Sequence, residues 1–146
     1  MKFSTKTRYG IRAVLEIALN ANEKGIYQKD IAKNQEISYK YLDQILSSLK
    51  VAGLVTKAAG RKSGYVLTRE PDEITVYDVH VAFEPGICVI DCLALNFSCD
   101  REKFCSLRGF WRQLNNQIIE YFKSTTIGDL MKKQTDLEDN FAGLLK

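Results

Sequence analysis

A chain of 146 residues has room for one compact domain with an extension, and 45% hydrophobic residues with only two prolines fit an ordinary folded globular protein. No apolar run approaches the ~18 residues that span a bilayer, and Met1-Lys2-Phe3-Ser4-Thr5-Lys6 lacks the apolar stretch of a secretion signal. The expected compartment is therefore the cytoplasm, where cysteines stay reduced and bind metal more often than they pair. The net charge of +3 is unevenly spread. Residues 1–70 carry 13 Lys and Arg against 6 Asp and Glu, a balance of +7, whereas residues 71–146 balance at −4. A basic half joined to an acidic half suggests one surface that faces a polyanion.

In chain order, Ile11, Val14, Leu15, Ala18 and Leu19 repeat at helical spacing and predict an amphipathic helix over residues 6–21. Asn22-Glu23-Lys24-Gly25 breaks it. A short helix over 28–34 buries Ile31 and Ala32, and Ser38 is a suitable N-cap for a third helix that buries Leu42, Ile45, Leu46 and Leu49 and stops at Gly53. The outer face of that third helix collects Ser38, Tyr39, Lys40, Asp43, Gln44 and Ser47, groups that can bond base edges and phosphates. Two short strand-like runs, 54–58 and 64–68, then flank Ala59-Gly60-Arg61-Lys62-Ser63, a loop with two cations. Helix, turn, helix and basic hairpin make a winged helix-turn-helix, with Arg61, Lys62 and Ser63 as candidate phosphate or minor-groove contacts. A winged helix used only for protein contacts is the alternative, and the basic loop beside a polar helix face favours double-stranded DNA.

Thr75-Val76-Tyr77-Asp78 fits a capping box opening a helix over 76–84, which Pro85-Gly86 stops. The one histidine, His80, shares a face with Val76, Val79 and Phe83, which marks it as a core residue rather than a ligand. All four cysteines follow, spaced as Cys88-x3-Cys92-x6-Cys99-x5-Cys105, with Leu93, Phe97 and Phe104 as expected apolar cover. Structural zinc favours paired Cys-x2–4-Cys knuckles, which the wide gaps fit poorly, and disulfides do not suit the compartment. The spacing favours an iron–sulfur cluster, with zinc and free thiols left open. The longest helix, over 107–123, lines up Leu107, Phe110, Trp111, Leu114, Ile118, Tyr121 and Phe122, a stripe large enough to pack on a symmetry mate. Thr126-x-x-Asp129 opens a last short helix, and beyond Gln134 the chain is expected to fray.

These residues resemble the Rrf-two regulators. The likeness is carried by the opening Met1-Lys2-Phe3-Ser4-Thr5-Lys6-Thr7-Arg8-Tyr9-Gly10, by Tyr41-Leu42-Asp43-Gln44-Ile45-Leu46, by Leu49-x3-Gly53-Leu54-Val55 and by Ser63-Gly64-Tyr65-Val66-Leu67, and it extends over about residues 1–131. That group includes the iron–sulfur cluster regulator, the nitric-oxide-sensing repressor and the cysteine-metabolism repressor. The resemblance implies a homodimer on a two-fold operator, with the cluster loop beside the long helix. Cys92, Cys99 and Cys105 match the three cysteines of the cluster-bearing branch in order. The fourth ligand departs from the pattern, because Arg108 and Arg8 stand where the two cluster-bearing members have a histidine and an aspartate. A guanidinium has no free lone pair for iron. Cys88 is the obvious substitute and Asp91 a weaker one, for a two-iron or a four-iron cluster.

The expected fold is thus mainly α with a small β-wing. Residues 1–70 are expected to form a DNA-binding winged helix, 71–131 the cysteine loop and dimer helix, and 132–146 a flexible tail. The expected function is transcriptional control switched by an iron–sulfur cluster that senses redox state, nitric oxide or cluster supply. Its rivals are a cluster-free regulator controlled by thiol oxidation or a protein partner, and a cluster carrier or electron-transfer module. No small-molecule substrate, membrane partner or catalytic nucleophile–base pair is indicated.

Overall fold

The computed structural model describes residues 2–146. Ser4 opens helix α1 (Thr5–Leu19), its hydroxyl accepting from the Thr7 amide, and Ala13, Val14, Ile17 and Ala18 form the buried face. Helix α2 (Gln28–Gln35) ends at Glu36, whose φ of 53° turns the chain sharply and sends Ile37 into the core. Ser38 caps α3 (Tyr39–Val51) as expected, Leu42, Ile45, Leu46 and Leu49 are buried, and Gly53 at φ 72° takes the chain out of the helix. Strands β1 (Val55–Lys57) and β2 (Tyr65–Leu67) pair antiparallel with Thr56 opposite Val66. The hairpin is pinned to the α1–α2 turn through Ile26 and Tyr65, whose amides and carbonyls bond each other. Gly64 lies flush against the Ile26 backbone, where any side chain would overlap it.

A buried carboxylate joins α1 to α2. Glu16 accepts from the Asn34 and Gln35 side-chain amides, each at 2.7 Å, and from Asn20 at 3.1 Å. Three donors offset the loss of water around the charge, which alone would be costly to bury. Apolar periodicity carries no sign of this arrangement.

A 3-10 turn at Pro71–Glu73 leads to α4 (Val76–Val81), then through the cysteine segment to α5 (Ser106–Ser124) and α6 (Ile127–Leu144). Both expected capping boxes form, Thr75 with Asp78 and Thr126 with Asp129. The two caps stand side by side, with the Val76 amide donating to Thr125 and the Ile127 amide donating to Ile74. Ile74 and Ile127 are fully buried in the same apolar cluster as the α1–α3 stripe, so one core runs across residue 70. Helix α4 stops at Val81, three residues earlier than the spacing predicts; Phe83 and Glu84 instead donate their amides to the His80 carbonyl in a turn. The expectation of a short last helix and a frayed tail is corrected, since α6 stays helical to Leu144. Residues 130–144 are mostly good helix formers, and Gln134 bonds Glu138 one turn on. Among the described residues no helix is long and apolar enough to cross a membrane.

His80 is buried, as its face predicts. Nε2 donates to the Gly86 carbonyl at 2.9 Å, and Nδ1 lies 3.2 Å from the Thr7 hydroxyl. Thr7 donates to Glu84 at 2.8 Å. The Ser4 hydroxyl first, then Thr7 and the nearby His80, hold the Glu84 carboxyl below its ordinary value, against the opposite pull of partial burial. A depressed carboxyl stabilises the fold at pH above its unfolded value, about 4.3, and that stabilisation fades as pH falls through the lower folded value. Glu84→Gln should therefore lower the melting temperature at pH 7 and flatten its fall between about pH 5 and 3. Unchanged melting curves across that range would refute the linkage.

Candidate nucleic-acid interface and cysteine pocket

The polar face of α3 is held in place from below. Gln28, buried at the start of α2, donates to the Tyr39 carbonyl at 3.4 Å and to Asp43 Oδ1 at 3.2 Å. Ser38, Tyr39, Lys40, Asp43, Gln44 and Ser47 all lie exposed, as predicted. Three of these side chains also have internal partners: the Ser38 hydroxyl accepts from the Tyr41 amide, Asp43 accepts from Gln28, and the Ser47 hydroxyl donates to the Asp43 carbonyl at 2.8 Å. The Tyr39, Lys40 and Gln44 side chains are the outward groups without such ties. On the wing, Arg61 and Lys62 are exposed and Ser63 is half-buried.

Tyr27, directly before α2, connects the two halves of this surface. Its hydroxyl donates to the Lys62 carbonyl at 3.3 Å, and the Lys29 ammonium sits 5.9 Å from the centre of its ring. The start of α2, the start of α3 and the wing loop are thereby gathered on one basic side. Sequence patterning alone does not single out Tyr27 or Lys29. The signal that could have found them is a lysine in the first turn of the second helix, where free backbone amides favour anions.

The four cysteines do not converge. Cys92, Cys99 and Cys105 line one small pocket of about 20 Å³, together with Glu102 and Arg108. Cys88 stands apart: its thiol donates to the Ile90 carbonyl at 3.1 Å, and it borders separate hollows beside Leu93 and beside Phe3. Asp91 is exposed and does not line the pocket. All four thiols are free, and among the described residues no three His, Cys, Asp or Glu side chains already stand in metal-binding geometry. Phe97 and Phe104, expected as apolar cover, are 45% and 90% exposed, a correction for the single chain. Phe104 lies in a 3-10 turn, Glu102–Phe104, whose one face carries Glu102 toward the pocket and leaves the aromatic ring outside.

Glu102 and Arg108 form an ion pair across the pocket. The Arg108 Nε–H is buried without a hydrogen-bond partner, alone in this among the side-chain polar atoms of the described residues. A guanidinium only donates, so the site lacks an acceptor at that point. Three soft thiols, a carboxylate and an unsatisfied donor suit an iron–sulfur cluster, whose sulfurs accept such bonds.

Helix α5 leans on the loop and on α4 through little of its surface, and only Asn115 is buried. Its Oδ1 accepts from the Val89 amide at 2.9 Å. Of the predicted interface, Leu107, Phe110 and Tyr121 are 58–64% exposed, and Trp111, Leu114 and Ile118 are half-buried. Phe122 also packs within the chain: it stacks on Phe3 at 5.0 Å between ring centres and meets His80 edge-on at 5.8 Å.

Residues 3–133 match the profile of the Rrf2 family, described as an iron-dependent transcriptional regulator. The chain is 35% identical to Protein rrf2 of Nitratidesulfovibrio vulgaris over 132 residues, which is 90% of this chain and 88% of that protein. Among solved structures it superposes on CymR (YrzC), the global cysteine regulator of B. subtilis, with a TM-score of 0.74 and 34% identity, covering 91% of this chain and 98% of that one. It superposes on IscR of T. potens with a TM-score of 0.72 and 32% identity, covering 92% and 88%.

The Asn115–Val89 hydrogen bond is the tie between the long helix and the cysteine loop, and it can be cut on its own. Asn115→Leu leaves the Val89 amide without its acceptor, a loss of about 1–2 kcal/mol in local opening. Amide exchange at Val89 should then speed up by roughly tenfold or more while exchange in α3 stays at its original rate. Equal exchange at Val89 in both proteins would show that the loop is held by other means.

Proposed function

The chain belongs to the Rrf2 family of transcriptional regulators, and from that premise we propose that it is an operator-binding homodimer switched by an iron–sulfur cluster in its cysteine loop. The relatives of this chain are transcriptional regulators rather than enzymes. One observation carries the cluster assignment: Cys92, Cys99 and Cys105, and not Cys88, line a single pocket with an unsatisfied buried donor at the head of α5. Those three cysteines hold the cluster, which supplies iron that oxidants, nitric oxide or iron shortage can attack.

The protein's own part is to carry the state of that pocket to DNA. Cys105 is the residue immediately before α5, so any shift of the loop is delivered to the first turn of that helix. The exposed face of α5, with Leu107, Phe110, Trp111, Leu114, Ile118 and Tyr121, packs on a second copy and sets the spacing of the two reading heads. In each head Lys40 and Gln44 meet base edges, while Ser38, Tyr39, Asp43 and Ser47 border the groove. Arg61, Lys62 and Ser63 of the wing, with Tyr27 and Lys29 beside them, meet phosphates. The cytoplasm is the compartment that suits such a regulator.

A second reading has its own support. CymR of B. subtilis superposes across nearly the whole chain, which fits a cluster-free regulator controlled by its thiols or a partner protein. Protein purified without oxygen separates the two. The cluster-bearing form is coloured and contains iron and sulfide, and Cys92→Ser, Cys99→Ser or Cys105→Ser each removes the absorbance. Colourless protein without iron would leave the cluster-free form.

Two further outcomes are expected. Neutralising Arg61 and Lys62 should weaken binding to any duplex and lower the salt slope by about one unit for each phosphate no longer neutralised; an unchanged affinity at low salt would remove the wing from the interface. Phe110→Glu places a charge on the exposed face of α5 without disturbing the core, and should yield monomers with sharply reduced operator affinity. A wild-type chain that sediments as a monomer at micromolar concentration would contradict the dimer.

A further inference from the structure

We infer that Glu102, not Cys88, completes the ligand set with Cys92, Cys99 and Cys105, and that Arg108 positions Glu102 and gives its Nε–H to a ligating sulfur. This ligand set rests on the cluster assignment proposed above.

The local backbone brings these groups together. Glu102 begins a 3-10 turn that ends at Phe104, and Cys105 follows it directly. Cys105 in turn lies three residues before Arg108, in the first turn of α5, so Glu102, Cys105 and Arg108 fall on one side of the chain. The pocket lining has this composition: three cysteines, Glu102 and Arg108. Glu102 reaches Arg108 through one carboxylate oxygen, Oε1 on Nη1, which leaves Oε2 for iron. A ligating carboxylate held by an outer hydrogen-bond donor is a common arrangement around protein-bound metals. The remaining buried Nε–H has no acceptor on the protein, and a ligating sulfur in the pocket would supply one.

Cys88 is held elsewhere. Its thiol is turned to the Ile90 carbonyl, and the next residue, Val89, is tied by its amide to Asn115 of α5. Turning the Cys88 thiol to the other three would break the first of these bonds, and the second holds the backbone beside it in place.

The test uses full-length protein purified without oxygen, with iron and sulfide counts, visible absorbance and circular dichroism, and electron paramagnetic resonance of the reduced form. Cys88→Ser should keep the wild-type spectra and iron content. Glu102→Ala should lose iron to a chelator at least tenfold faster. Glu102→Cys should hold the cluster again, with spectra moved toward those of an all-thiolate site. Arg108→Ala should bind the cluster about ten- to a hundredfold more weakly, while Arg108→Lys restores only part of the loss. Far-ultraviolet circular dichroism of the iron-free variants should match wild type, which excludes misfolding as the cause. Loss of the cluster in Cys88→Ser, or unchanged spectra and chelation rate in Glu102→Ala, would overturn the assignment. Wild-type protein without iron would instead overturn the cluster reading itself, and this ligand with it.

Discussion

The cysteine segment has no strand or α-helix of its own between Val81 and Ser106, so its position depends on where its ends are tied. The decisive tie is the hydrogen bond from His80 Nε2 to the Gly86 carbonyl. His80 is 1% exposed, its other nitrogen faces Thr7 of α1, and its ring meets Phe3 and Phe122 edge-on. One buried imidazole therefore touches the DNA-binding half, the start of the cysteine loop and the end of α5. A second tie, Asn115 to Val89, secures the next turn of chain from the side of the long helix. Between Val89 and Cys105 the loop is tied to α5 by the Glu102–Arg108 ion pair, at the pocket that three of the cysteines line. A site built this way can rearrange without unfolding the winged helix.

In the proposed function the same constraint gives signal transfer a physical route. The loop ends at Cys105, where α5 begins, and α5 keeps most of its apolar surface outside the single-chain core. A change in how the pocket is filled acts at one end of a stiff helix, and the far end of that helix presses Phe122 against His80. In the proposed dimer, reading heads spaced by paired α5 helices would then respond to small rotations, since two half-sites tolerate little change in spacing.

Much of this was legible in the chain. The α3 stripe, the Ser38 cap, the two capping boxes and the Gly53 stop each depend on short-range chemistry, and the structure has them where spacing puts them. His80 was recognisable as a core residue because it shares a helical face with Val76 and Val79. What escaped was long-range. Glu16 reads as a surface residue until Asn34 and Gln35 arrive from another helix to bond it. Phe122 belongs to an apolar stripe that fits an interface, but Phe3, more than a hundred residues away, claims it. Cys88 was the expected fourth ligand because Arg108 and Arg8 stand at the positions that would otherwise supply one, and no spacing reveals that it lies outside the pocket that the other three line. Nor does any spacing of cysteines place Glu102 in that pocket, paired with Arg108.

The central claim is that the filling of the cysteine pocket controls DNA binding through a loop anchored to His80 and α5. The most direct measurement is the affinity of one protein preparation, purified without oxygen, for a duplex it has selected from a random pool, before and after its iron is removed by a chelator. A shift of about fivefold or more between the two states, in either direction, is the expected result. Equal affinities for iron-loaded and iron-free protein, with both forms dimeric, would contradict the account.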